Sequence, residues 1–91
     1  MRIKISNKAS KQLKKAPKYI QTKFEYWRNL IIEISLRESR KYKGFHDEPL
    51  KGERRGQRSV RLSRAYRVIY REIGNQEYEI IEVMEVNKHE Y

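Results

Sequence analysis

Six apolar residues, Ile20, Phe24, Trp27, Leu30, Ile31 and Ile34, recur every three or four positions. That spacing predicts a helix with one continuous apolar stripe. Such a stripe needs a second apolar layer to cover it, so Trp27 is read as core and given no binding role. Runs of period two supply that layer. In "RSVRL" (58–62), Val60 and Leu62 face one side, with Ser59 and Arg61 on the other. In "AYRVIYRE" (65–72), Tyr66, Val68 and Tyr70 face one side, with Arg67, Ile69 and Arg71 opposite. A three-residue turn at Ser63–Ala65 pairs Leu62 with Tyr66, Val60 with Val68 and Arg61 with Arg67, and both apolar faces then agree. "GN" at 74–75 marks a second hairpin. A turn centred there pairs Val68 with Ile81, Tyr66 with Val83 and Arg67 with Glu82.

The N-terminal part completes the fold. "MRIKIS" alternates and predicts a first strand, with Ser6 or Asn7 capping the helix after it. Ala9, Leu13 and Ala16 then recur at helical spacing. Pro17 separates this helix from the striped one and is expected in the latter's first turn. Residues 38–57 hold three of the four glycines and one of the two prolines, and are read as mostly loop. A loop of that length in a small domain is often functional. The expected fold class is α+β in the order β-α-α-β-β-β, an antiparallel sheet with two N-terminal helices packed on one face. With 91 residues it is read as a single domain, 1–91.

Charge narrows the partners. The chain carries 22 Lys and Arg against 12 Asp and Glu, a formal net charge of +10. The signs are segregated: residues 1–20 contain seven basic side chains and no acid, whereas residues 72–91 contain six glutamates against Lys88. A segregated basic field attracts a polyanion, and nucleic acid is the usual one. The absence of cysteine leaves no disulfide or thiolate metal site and agrees with a reducing cytoplasm. No apolar stretch approaches membrane-spanning length, and no secretory leader is expected. His46, Asp47 and Glu48 are adjacent, a poor arrangement for converging on one ion, so neither metal nor other cofactor is expected.

The predicted ladder sets Arg61 directly against Arg67 on the face away from the helices. Like charges there repel. Glu82 in a structural bridge, or an RNA phosphate gripped by the arginine forks, would each compensate. Metal-free RNA cleavage needs a base for the ribose 2′-hydroxyl, a cation for the charged phosphorane and an acid for the leaving 5′-oxygen. Glu48 is the candidate base, and Arg67 with Arg61 the cation. His89 is the candidate acid, with His46 as its alternative. Tyr91 is a candidate to stack on a base or orient the phosphate.

The string "EPLKGERRGQRSVRLSRAYRVIY" at 48–70 resembles the RelE/ParE toxin superfamily of type II toxin–antitoxin modules. It is most similar to the YoeB-type branch, in which a Glu-Pro-Leu-Lys-Gly loop leads into a strand pair. Ser59, Arg61, Leu62, Arg67 and Tyr70 fill that strand pair's pattern. The resemblance implies a RelE-like fold and a ribosome-dependent mRNA endoribonuclease, metal-independent and without cofactor, that cuts in the A site and halts translation. It gives Glu48 the base and Arg67 the transition-state cation, with Arg61 and Lys51 on phosphate and His89 and Tyr91 as the terminal pair. Here the chain departs from the pattern: Glu90 separates His89 from Tyr91, where the branch has the two adjacent. The resemblance also implies a cognate antitoxin, and ribosomal RNA held by Lys8, Lys11, Lys15, Lys18, Arg54, Arg55, Arg58 and Arg64. The toxin would be a cytoplasmic monomer or part of a toxin–antitoxin hetero-oligomer. A gyrase poison on the same fold and a non-catalytic RNA-binding module are the rival readings.

Overall fold

The computed structural model describes residues 2–74 and the backbone of residues 80–88. A first strand, β1 (Arg2–Ile5), leads into helices α1 (Asn7–Lys15) and α2 (Lys18–Ile34). Ser6 caps α1, its hydroxyl accepting from the Ala9 amide at 3.0 Å. Pro17 is the residue before α2 rather than within its first turn, and its φ of −56° suits that entry. The chain continues into a four-residue helix, α3 (Leu36–Ser39). Two 3₁₀ turns, Lys43–Phe45 and Gly52–Arg54, bracket a two-residue strand, β2 (Glu48–Pro49). The segment expected as loop is thus short turns around an edge strand. Strands β3 (Arg58–Arg61), β4 (Tyr66–Glu72) and β5 (Ile80–Lys88) complete the order.

The α+β class and the one-sided helical layer are as expected. The five strands lie in the order β1-β5-β4-β3-β2. All neighbouring pairs are antiparallel except β1 and β5, which run parallel from Arg2 beside Ile80 to Ile5 beside Val83. The sheet is therefore mixed, because β1 joins the far side of the last strand.

The core forms where the two periodicities meet. Ile20, Phe24, Trp27 and Ile31 of α2 are at most 1% exposed and pack with Val60, Val68 and Tyr70 of the sheet. Trp27 lies against Tyr70 with ring centroids 5.5 Å apart, tilted by 53°. Ile34 is partly buried at the end of the same stripe.

The β3–β4 register is the expected one, with Val60 opposite Val68 and Arg61 opposite Arg67. The Leu62 amide donates to the Tyr66 carbonyl at 2.9 Å, closing the turn. The Ser63 hydroxyl accepts from the Ala65 and Tyr66 amides, each at 3.2 Å. The β4–β5 register differs from expectation. Glu82 lies opposite Arg71, Arg67 lies opposite Asn87, and Val68 lies opposite Val86. A register shift between Ile69 and Tyr70 accompanies this. In this register β5 also pairs in parallel with β1. Asn75 and the rest of the β4–β5 connection, 75–79, lie outside the described residues.

Candidate active site

Strand parity assembles the site. Glu48 is the register partner of Ser59 across β2 and β3. Directly paired residues share a face, and so do residues two apart along a strand. Glu48 therefore stands on the same face as Ser59 and Arg61, and, one strand further on, Arg67. A cavity of about 100 Å³ opens on this face. Glu48, Arg61, Arg67 and His46 line it, with Arg64 and Tyr66 at its side. Three guanidinium groups and one imidazole surround one carboxylate, so the cavity favours an anion. Its volume is well below the ~300 Å³ at which drug-sized pockets begin. It suits a phosphate group.

Arg67 is the most informative side chain. Its Nε is buried and has no hydrogen-bond partner among the described residues. A buried donor left unpaired costs about 1–3 kcal/mol. Arg61 opposite adds repulsion instead of relief. Glu82, expected to relieve it, belongs four residues along the strand at Arg71, about 13 Å away by strand rise. The register therefore does not set Glu82 across from Arg67.

The loop before β2 is held by a carboxylate that the sequence reading weighs only as a metal ligand. The Asp47 side chain is 1% exposed. Its Oδ1 accepts from Arg58 Nε at 2.6 Å and its Oδ2 accepts from the Tyr70 hydroxyl at 2.6 Å. Arg40 donates to the Tyr70 oxygen at 3.4 Å and forms an ion pair with Glu72. Burial and then the Asp47 carboxylate push the Tyr70 hydroxyl pKa well above its ordinary range, with Arg40 opposing. The Arg40 pKa is raised too: burial works against its charge, but Tyr70 and Glu72 outweigh it. Asp47 is thereby pinned on the helix side while its neighbour Glu48 is turned to the cavity. His46, immediately before, sits in the left-handed region at φ 45°, which brings its ring to the same cavity. The one available signal for Asp47 was its place between two residues already singled out.

The other expected contacts divide. Arg58 is not on the cavity face: the ladder puts it opposite Tyr70, and Asp47 occupies its guanidinium. Arg64 lines the cavity. Lys51 and Arg55 are exposed beside the second 3₁₀ turn, and Arg54 donates to Gln57 at 3.1 Å. Lys8, Lys11, Lys15 and Lys18 are exposed on the helical layer, and none lines the cavity. His89 and Tyr91 lie outside the described residues. Those residues contain no cluster of three metal-ligating side chains and no helix long and apolar enough to cross a membrane.

A small α+β domain with a helical layer on one sheet face is a fold this chain shares with solved toxins of the RelE, YafQ and YoeB/ParE kinds. Three solved structures show the likeness of fold. The E. coli DinJ–YafQ toxin–antitoxin complex aligns with TM-score 0.73 and 24% identity over 96% of this chain and 90% of that one. The YoeB/ParE toxin from Agrobacterium tumefaciens aligns with TM-score 0.70 and 21% identity over 99% and 100%. The archaeal RelE–RelB complex from Pyrococcus horikoshii OT3 aligns with TM-score 0.69 and 26% identity over 96% and 92%. The resemblance read from residues 48–70 thus extends to the fold of nearly the whole chain. No protein-family model and no curated protein sequence matches it.

Proposed function

We propose that this protein is the toxin of a type II toxin–antitoxin module, a metal-independent endoribonuclease that cleaves mRNA in the ribosomal A site. The observation that carries this reading is the unpartnered, buried Arg67 Nε in a cavity shared with Arg61 and Glu48. A phosphate satisfies the donor and relieves the repulsion in one step. Glu48 then takes the 2′-hydroxyl proton, the freed oxygen attacks the adjacent phosphorus, and Arg67 and Arg61 neutralise the charge that builds on the equatorial oxygens. The leaving 5′-oxygen takes a proton from histidine: His89 by resemblance, with His46 already on the cavity wall. Tyr91 orients the phosphate or stacks on a base.

Lys51, Arg54, Arg55 and Arg64, with the lysines of the helical layer, hold ribosomal RNA in this reading. The partners of the similar proteins, DinJ for YafQ and RelB for the archaeal RelE, support a cognate antitoxin here. Its acidic surface would be drawn to the net charge of +10.

Cleavage of a defined mRNA, with and without programmed ribosomes and with mapped ends, tests the reading. Cuts confined to the A site, lost in Glu48→Gln and His89→Gln while ribosome binding persists, are expected. Undiminished cutting in both variants refutes the mechanism.

A further inference from the structure

The Glu48–His46 segment is a wall with space on both sides. Besides the arginine cavity it borders an open groove of about 400 Å³ lined by Arg40, Tyr42, Lys43, His46, Asp47 and Glu48. His46 and Glu48 are common to both spaces. The groove is of a different kind from the cavity. Its volume falls within the roughly 300–1,000 Å³ typical of sites that hold an organic ligand, where the cavity has room for a phosphate only.

The side chains around the groove divide into those already engaged and those left over. Asp47 is pinned by Arg58 and Tyr70, and Arg40 is committed to Tyr70 and Glu72. Tyr42 and Lys43 are not so engaged. Tyr42 is 45% exposed, an aromatic ring kept out of the nearby core that takes in Phe45. Lys43 makes no ion pair among the described residues, whereas Lys41 two positions earlier is bonded to Glu38. An exposed aromatic face beside an unpaired ammonium group is the combination that holds a single-stranded nucleotide by stacking and charge.

We propose that this groove is a subsite for the nucleotide flanking the scissile phosphate of a single RNA strand, with Tyr42 as its stacking face and Lys43 as its cation. The inference rests on the endoribonuclease reading and extends it. The strand crosses the Glu48–His46 wall, with the reacting phosphate in the cavity and the neighbouring base in the groove. Glu48 then stands between the two, where the 2′-hydroxyl of the linking ribose must lie. Stacking accepts every base, so the subsite contributes affinity and placement with weak sequence preference.

The test uses the full chain freed of any partner and two probes: inorganic phosphate, and a tetraribonucleotide whose 2′-O-methyl groups block cleavage. Amide shifts map each probe, and calorimetry gives affinities. Phosphate is expected to shift the cavity residues, Arg61 and Arg67 among them, and not Tyr42 or Lys43, and the tetranucleotide to shift both sets. Tyr42→Ala is expected to weaken the tetranucleotide at least about fivefold, the low end for one lost stacked base, and to leave phosphate binding unchanged. Tyr42→Phe is expected to retain wild-type affinity. Equal tetranucleotide binding by Tyr42→Ala, with both probes lost in Arg67→Leu, overturns the groove and leaves the cavity reading standing. Failure of the wild-type protein to bind either probe overturns both. Shifts at Tyr42 with an acidic peptide, and none with the tetranucleotide, make the groove a protein-docking surface and overturn the proposal.

Discussion

Arg67 is expected to set stability against activity within one guanidinium group. Its buried Nε lacks a partner among the described residues and its cross-strand neighbour is another arginine. An apolar side chain of similar reach removes the orphan donor and the repulsion together. Arg67→Leu is therefore expected to raise stability by about 1–2 kcal/mol and the melting temperature by several degrees, while abolishing cleavage. A thermal melt beside the cleavage assay checks this, and an unchanged or lower melting temperature shows that the donor is satisfied in the free protein. Tyr70 gives the matching prediction for pH. Burial and Asp47 hold its proton to higher pH in the folded chain than in the unfolded one. That contribution is whole below the unfolded value of about 10 and is lost as pH climbs beyond it. Wild type should lose stability from about pH 10 upward, more steeply than Tyr70→Phe. Comparing the two cancels the lysines, which titrate in the same window. Parallel melting curves would show that the hydroxyl makes no such contribution.

The turn from Tyr42 to Pro49 is short, and beside buried Phe45 and the β2–β3 pairing one carboxylate ties it to the sheet. Asp47 joins the loop to β3 through Arg58 and to β4 through Tyr70. Asp47→Asn breaks this junction and should cost about 3 kcal/mol, the low end for a broken buried pair because both arginines keep some exposure. Denaturant melts measure that loss. Cleavage at a temperature where the variant stays folded should also fall, since Glu48 is no longer fixed at the cavity edge. A variant destabilised to this extent yet fully active would separate the junction from the site. The same segment shows where sequence reading stops. The β3–β4 ladder is readable because both strands alternate and one turn length satisfies both apolar faces. The facing arginines come out of that ladder, whereas Glu48 comes from the chemistry cleavage needs and from the resemblance of 48–70. The β2 strand is two residues long and carries no periodicity to read. The β4–β5 register departs from the sequence reading because β5 answers to two neighbours, and its parallel pairing with β1 comes from the opposite end of the chain.

The molecule as a whole is an electrostatic object before it is a catalytic one. The proposed chemistry belongs to the cavity, but much of the basic charge lies elsewhere, on the helical layer and around the second 3₁₀ turn. Lys8, Lys11, Lys15 and Lys18 are exposed there and lie outside the cavity lining. If they meet ribosomal RNA, they act by displacing counterions, and their effect must appear as a salt dependence. Replacing all four by Ala should weaken ribosome binding strongly at low salt and little at high salt. The slope of log affinity against log salt should fall by about 3, near 0.7–0.9 for each phosphate contact removed. At saturating ribosome concentration the rate of cutting should be unchanged, because none of the four touches the reacting phosphate. Arg61→Ala should do the reverse, lowering the rate at saturation while changing the slope by no more than about 1. The two variants thus divide the basic charge into a docking part and a catalytic part. An unchanged slope in the lysine variant would move the docking surface to Lys51, Arg55 and the cavity rim, and make the helical layer free for an acidic antitoxin.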